Sequence, residues 1–256
     1  MLRELTKKDW LSMLRIPENR IPNVLILRGT RDLKSQYEQH HSYFTNILDI
    51  GSPNGILQDV FIGDLDGFPV AYASVYGAPM ASEIVHVFGV LGTSLVIQTG
   101  CCGALSETIG VGDIFVVREA YCGEGASQYY NPKGKIVKAS AQLLQIPPIR
   151  SPHDIPVHFG KIYTTSALFA EGREEIEEWY GKGFSAVDME TAATFAVAEY
   201  FGMKRISVLF VFDNPRGKES IFTKDTEKDE RRTLGKRRML DLVLQVTKEY
   251  NISTEN

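Results

Sequence analysis

The chain has 256 residues, 43% of them hydrophobic, which is enough to bury a large core as one α/β domain. Its net charge is −4 and its isoelectric point is near 5.8, which argues against nucleic acid or an acidic membrane as a partner, because phosphate groups attract a basic face. No apolar stretch has the length of a membrane span or of a signal-peptide core, so we expect a cytoplasmic protein.

Apolar runs typical of strands alternate with stretches of helical spacing along the chain. In chain order the predicted elements are a strand at 23–29, a helix at 35–46, a hairpin at 59–76, a helix at 80–91, strands at 95–105, 112–117 and 161–165, a helix at 171–180, a strand at 184–187, a helix at 189–201, a strand at 206–212 and a helix at 226–250. Basic residues at 231–238 are mixed with acidic ones and predict a solvated helix face.

Carboxylates stand at two places where ligand sites form in α/β sheets. Asp188 and Glu190 begin the helix at 189–201, and Asp213 ends the apolar strand at 206–212. Ligands bind beyond the carboxyl ends of strands, which favours a functional role for these groups. Alternatively, Asp188 caps the helix, Glu190 complements its dipole and Asp213 caps a turn.

The motif Asp188-Met189-Glu190-Thr191-Ala192-Ala193, followed by a strand that ends in Asp213, resembles the sugar and base site of the nucleoside phosphorylase and nucleosidase superfamily. Further segments resemble the family in the same order: a first phosphate loop at 23–29, a central strand and glycine-rich turn at 95–105, the next strand at 112–117, and a segment over the sugar and base at 125–132. The resemblance covers nearly the whole chain from residue 23.

This resemblance implies an α/β fold with a mixed, twisted, barrel-like central sheet flanked by helices. It also divides the chain into an N-terminal extension at 1–22 and a catalytic domain at 23–256. Members of the family assemble as dimers or as hexamers built from three dimers, so we expect a homo-oligomer.

The implied reaction is cleavage of a nucleoside's glycosidic bond, in which positive charge builds on the ribose and negative charge on the leaving base. By resemblance, Glu190 holds the ribose 2′-hydroxyl side and Met189 packs under the sugar, although Met189 also fits as core filler. Asp213 protonates a purine N7, since burial can raise the pKa of a strand-end carboxyl. Arg231 on the last helix promotes that proton donation, or is a solvated charge. The other implied substrate contacts are Asp188, Gln98, Thr99, Gly100, Ser127 and Tyr130.

The base is less clearly indicated. Asp213 matches purine-cleaving relatives, whereas uridine phosphorylases read uracil with a Gln and an Arg that the stretch at 170–175 does not reproduce. The motif Gly125-Ala126-Ser127 favours uridine. We expect purine over uridine.

The anion site departs from the family. Gly29 is kept, but Leu33 and Gln98 occupy the two positions where phosphorylases carry arginine, and Cys101 replaces a Ser or Thr. Losing both arginines is typical of a hydrolase, because water needs no cationic site, whereas a phosphate dianion does.

Arg28 and Arg31 lie close enough in sequence to replace the missing arginines, or are ordinary surface charges. We assign phosphate to Gly29, Arg31 and Cys101 and expect phosphorolysis, because the glycine turn at 100–103 offers backbone N–H groups to an anion. Hydrolysis and a noncatalytic nucleoside-binding role are the alternatives.

Metal and cofactor sites are not indicated. None of the five histidines has a metal-ligand spacing with a second histidine or a carboxylate, and the three cysteines fit neither a disulfide framework nor a spaced zinc site. We expect no metal and no cofactor other than phosphate as co-substrate.

Overall fold

The computed structural model describes residues 1–52, 55–145, 155–217 and 225–255. The strands in this part of the chain are β1 (Val24–Gly29), β2 (Thr45–Asp49), β3 (Val60–Leu65), β4 (Phe68–Val75), β5 (Leu95–Ala104), β6 (Ile114–Cys122), β7 (Ile136–Lys138), β8 (Val157–Thr164), β9 (Ala186–Asp188) and β10 (Lys204–Asp213). The α-helices are α1 (Lys7–Leu14), α2 (Leu33–His41), α3 (Gly77–Leu91), α4 (Arg173–Gly181), α5 (Thr191–Tyr200) and α6 (Thr226–Glu255).

The strands form one mixed sheet in the order β10-β6-β8-β9-β5-β1-β4-β3-β2, with β7 paired to β6. Because β10 also pairs with β5 in parallel, the five strands β5, β10, β6, β8 and β9 close into a barrel. The strands β1, β4, β3 and β2 extend the sheet outward from β5. The predicted fold, a mixed barrel-like sheet flanked by helices, is confirmed.

Helices cover both faces of the extended part of the sheet, and β1 lies between them. All six of its residues are buried, as expected of a parallel strand covered on both faces. Leu25 and Leu27 pack with α3, whereas Val24 and Ile26 pack with α2 and α6. Arg28 continues the second row, since side chains alternate along a strand, and therefore points toward α2 and α6.

The first 22 residues share this core. Trp10 and Leu11 of α1 and the following Ile16 are buried in the same hydrophobic cluster as α3. The predicted extension is therefore packed against the domain.

The prediction missed the exposed and short elements. Residues 42–46, assigned to the first helix, lie beyond the end of α2, and β2 begins at Thr45 as an edge strand that is mostly exposed. The three-residue strand β7 was also not predicted. The basic run on α6 was predicted to be solvated, but Lys236 is half-buried and Arg238 is only 5% exposed.

Across the described residues, no helix combines the length and the apolar character needed to cross a membrane.

Candidate active site

The ends of β1 and β5 approach each other at two glycines. A Cβ on Gly100, whose φ is +155°, would lie 2.9 Å from the carbonyl oxygen of Gly29. A Cβ on Gly29 would lie 2.7 Å from Oε2 of Glu190 and 3.1 Å from Nε2 of Gln98. Side chains would not fit here, so the glycines allow the Glu190 carboxylate to lie against the β1–β5 backbone.

Glu190 stands at the start of α5 and is 7% exposed. Its Oε1 accepts a hydrogen bond of 2.7 Å from the N–H of Gly77, at the start of α3. Burial, together with the charge of Asp188, raises the pKa of Glu190 to about 8. One carboxyl oxygen is thus held by backbone, while the other lies against Gly29, and the role of this carboxylate in holding the ribose stays a prediction.

Asp188 has a different environment. Its Oδ1 accepts a hydrogen bond of 2.7 Å from the Thr164 hydroxyl, and its Oδ2 accepts from the Thr191 hydroxyl and, at 2.8 Å, from the Thr191 N–H. Burial raises the pKa of Asp188. Both oxygens are used within the protein, so the geometry favours the alternative of a helix cap over the direct substrate contact that the resemblance implied.

Gln98 and Thr99 are similarly engaged. The fully buried amide of Gln98 donates to the Thr99 carbonyl at 3.0 Å and accepts from the Thr194 hydroxyl at 2.9 Å. The Thr99 hydroxyl donates to the Leu27 carbonyl at 2.9 Å. These side chains connect β1, β5 and α5, and their predicted contacts with substrate would require these bonds to rearrange.

Asp213 lies beside the C-terminal part of β5, where residues 100–103, predicted to form a glycine-rich turn, instead continue the strand and pair with β10. It pairs with Gly103, and a Cβ on that glycine would lie 3.2 Å from Oδ1 of Asp213. Cys101 is exposed to solvent, yet the protein packed around it raises the pKa of its thiol to about 11, and the charges of Glu190 and Asp213 contribute to the rise. Both predicted carboxylates therefore lie near the glycine-rich end of β5.

Glu171 is a second carboxyl group on the Asp213 side that sequence reasoning missed. Its Oε1 is buried, and burial together with the charge of Asp213 raises its pKa to about 7. At 170–175 the sequence shows only that a uracil-reading Gln is absent, and no pattern in it places Glu171 beside a strand that ends 42 residues later.

A cavity of about 460 Å³ adjoins this arrangement, and its volume suits a nucleoside-sized ligand. It is lined by Arg31, Tyr76, Ser166, Ala167, Leu168, Phe169, Ala170 and Met189. The Arg31 guanidinium lies 5.0 Å from the Tyr76 ring centroid and 5.3 Å from that of Phe169. The structure thus brings Arg31 to the aromatic wall of the cavity, together with Met189, and the phosphate role of Arg31 stays a prediction.

Ser127 and Tyr130 have their contacts elsewhere. The Ser127 N–H donates to the Glu124 carboxylate at 3.1 Å, and the Tyr130 hydroxyl lies 3.0 Å from Nδ1 of His86. Tyr130 also packs edge-on against Tyr200. Neither residue belongs to the cavity lining within the described chain, so the geometry gives no support to their predicted substrate contacts.

The first turns of α6 are attached to the end of β10. A Cβ on Gly112 would lie 2.5 Å from the Arg231 carbonyl oxygen, and the Gly112 N–H donates to Val211. The neighbouring Arg232 donates from Nε to the Phe212 carbonyl at 2.8 Å and covers the Phe212 ring. Arg231 therefore lies near the strand end that carries Asp213, and its effect on proton donation stays a prediction.

Comparison with known proteins identifies the class of protein that has this fold. The family model described as "Phosphorylase superfamily" matches residues 51–248. The chain is a member of the phosphorylase superfamily.

Two curated relatives show how far the similarity extends. A guanosine phosphorylase from Halorubrum lacusprofundi is 28% identical over 139 residues, which is 54% of this chain and 58% of that protein. A purine nucleoside phosphorylase, DeoD-type, from Colwellia psychrerythraea is 27% identical over 163 residues, 63% of this chain and 67% of that protein. The matches thus span about two thirds or less of these relatives' length.

Solved structures share the fold over a larger part of the chain. Uridine phosphorylase from Vibrio fischeri ES114 superposes with a TM-score of 0.77 at 22% identity and covers 92% of this chain and 96% of its own. Purine nucleoside phosphorylase from Toxoplasma gondii, in complex with immucillin-H, gives 0.74 at 20% identity, with 91% and 93% covered.

Proposed function

We propose that the protein is a nucleoside phosphorylase that cleaves the N-glycosidic bond of a purine nucleoside, giving free base and ribose 1-phosphate. The observation that carries the proposal is the position of two carboxylates near the glycine-rich ends of β1 and β5. Glu190 lies against Gly29 on one side, and Asp213 lies against Gly103 on the other. A site of this form can hold a sugar and a base at once.

In the proposed reaction, a phosphate oxygen forms a bond to C1′ of the ribose while the bond from C1′ to the base nitrogen breaks. The electron pair of that bond leaves with the base, and Asp213 supplies a proton to N7. The ribose carries positive charge in the transition state, and Glu190 in its ionised form stabilises this charge electrostatically. Met189 and the aromatic wall of the cavity contact the nucleoside.

The preference for purine is supported by Asp213, the carboxyl group that we assign to the base. Asp213 can donate a proton to N7, an atom that uracil does not offer. The curated relatives described above are named as guanosine and purine nucleoside phosphorylases, which agrees with this choice.

Hydrolysis is the second candidate, favoured by one observation. Gln98, at a position where phosphorylases carry arginine, is buried and bonded within the protein. If phosphate does not bind, water would attack C1′ and the products would be base and free ribose.

The proposal includes assembly and location. Phe169 borders the cavity and is 90% exposed in one chain, so a homo-oligomer in which a neighbouring copy covers this ring would complete the site. Cys101, Cys102 and Cys122 are free thiols, which suits a cytoplasmic enzyme. We propose phosphate as co-substrate and no metal or cofactor.

The experiment is a panel of purine and pyrimidine nucleosides, incubated with the enzyme in phosphate-free buffer and with added phosphate, with the products separated by chromatography. We expect base release from purine nucleosides only when phosphate is present. Free ribose formed at the same rate without phosphate would replace phosphorolysis with hydrolysis, and no cleavage by an intact protein would favour a binding role.

A further inference from the structure

Arg28 is a buried cation with few partners. It is 4% exposed, its Nη1 lies 3.4 Å from the sulfur of Met239, and its Nε has no hydrogen-bond partner. The guanidinium lies over the Phe210 ring at 5.7 Å. Within the described residues it forms no ion pair, although the charge of Glu190 reaches it. A buried charge without a counterion is unfavourable unless a ligand supplies one.

A second cation lies beside it. Lys236 precedes Met239 by three residues on α6, so the two side chains share a helix face. Lys236 is half-buried, and its Nζ donates to Oε1 of Gln39 on α2 at 3.3 Å. Burial and the positive charge of Arg28 lower the pKa of Lys236, while Asp32 opposes this change. Two cations that repel each other are thus held together by packing.

The histidine beside the two cations stays neutral at neutral pH. Burial lowers the pKa of His40 to about 4, and the charges of Arg28 and Lys236 contribute to this. The His40 ring stacks on Tyr72, and its Nδ1 lies 2.6 Å from the Gln36 carbonyl. His40 therefore adds no charge, Asp32 offsets part of the charge of Lys236, and a phosphate dianion would supply the counterion that Arg28 lacks.

We propose that Arg28 and Lys236 form the binding site of the phosphate co-substrate. Cys101, whose strand position pairs with Phe210, is exposed, so solvent reaches the end of β5 near the buried guanidinium. The charge of Glu190 reaches Arg28, and Glu190 follows Met189, which lines the cavity, so a phosphate held by Arg28 would lie near the carboxylate assigned to the ribose. The inference rests on the proposed phosphorolysis, and it assigns the anion to cations other than Arg31.

The test compares Lys236→Gln with Arg237→Gln, a matched control in which the same charge is lost from the next, exposed residue of the same helix. Phosphate and nucleoside saturation curves give the two KM values for each variant, and thermal unfolding with and without phosphate measures binding directly. Arg28→Gln is the stronger variant, and Lys236→Gln keeps the proposal testable where Arg28→Gln does not fold.

We expect Lys236→Gln to raise the phosphate KM roughly tenfold to a hundredfold, the loss of one charged hydrogen bond, with nucleoside KM changed less than about threefold. The phosphate-induced rise in Tm should also disappear, while Arg237→Gln behaves as wild type. An unchanged phosphate KM and an unchanged rise in Tm in Lys236→Gln would overturn the proposal.

The two proposals fail separately. Cleavage of nucleoside at full rate without phosphate would refute phosphorolysis, whatever Lys236 does. If wild type needs phosphate but Lys236→Gln binds it normally, the function stands and this assignment of the anion site is wrong.

Discussion

Asp188 and Arg28 are both buried charged residues near the glycine-rich ends of β1 and β5, but their surroundings differ. Asp188 accepts four hydrogen bonds, from the Thr164 hydroxyl, the Glu190 N–H, and the N–H and hydroxyl of Thr191. Arg28 contacts one sulfur atom and leaves Nε without a partner. The comparison suggests that a buried charge with a full set of partners holds the fold, whereas one without them serves a ligand. Glu190 lies between these extremes, with one oxygen held by Gly77.

The largest effect is expected for Glu190→Ala. Because the Glu190 carboxylate is expected to stabilise the positive charge of the transition state, kcat/KM should fall about a hundredfold or more while the circular dichroism spectrum is unchanged. Steady-state kinetics on the best nucleoside provide the measurement. Wild-type activity in this variant would show that Glu190, like Asp188, stabilises the fold and does not act in the reaction.

Asp213→Asn should produce the next largest effect, and it should depend on the leaving group. Purine nucleosides need protonation at N7, so their cleavage should slow about a hundredfold. Nucleosides whose base is already a good leaving group should be spared. Equal slowing of both substrate classes in parallel assays would argue that Asp213 is structural.

Asp188→Ala should act on stability. It leaves the Thr164 hydroxyl and the Thr191 N–H buried without their acceptor, so the free energy of unfolding should fall by about 3 kcal/mol. Urea unfolding measures this loss, and Asp241→Ala on the exposed face of α6 is the control. A loss of activity at unchanged stability would mean that Asp188 acts on substrate, as the resemblance first implied.

The smallest expected effect is the pH dependence of Glu190→Gln. The pKa of Glu190 is about 8 in the folded protein against 4.5 for an ordinary glutamate, so between these pH values the folded state retains a proton that the unfolded chain has lost. Glu190 therefore lowers the free energy of unfolding of the wild-type protein progressively as the pH rises from 4.5 to 8, and this loss is complete above pH 8. Relative to wild type, the Tm of Glu190→Gln should rise by at least about 2 °C between pH 5 and pH 9. A constant difference across that range would show that Glu190 ionises normally.

The sequence predicted the features that depend on residues close together along the chain. The strongly apolar runs predicted β1, β5 and β10, and the carboxylates Glu190 and Asp213 were found because they stand at the ends of such elements. The exposed edge strand β2 lacked this signal. The cap formed by Asp188 was one of two local alternatives, and only the structure shows that both of its oxygens are engaged.

The sequence offered Arg28 as a replacement for the missing arginines, but it could not predict that Lys236 lies beside it. Arg28 and Met239 are 211 positions apart, and only the packing of α6 on the sheet brings them into contact. Lys236 was interpreted as a solvated charge because a mixed basic run carries no sign of which face of its helix is buried. Glu171 was missed for a related reason, since its relation to Asp213 depends on tertiary structure.

The fate of phosphate tests the central claim most directly. In a ³¹P NMR time course with a purine nucleoside, we expect the inorganic phosphate signal to decline and a sugar phosphate signal to grow, with one phosphate consumed per base released. Base release with an unchanged phosphate signal would contradict the account and identify the enzyme as a hydrolase.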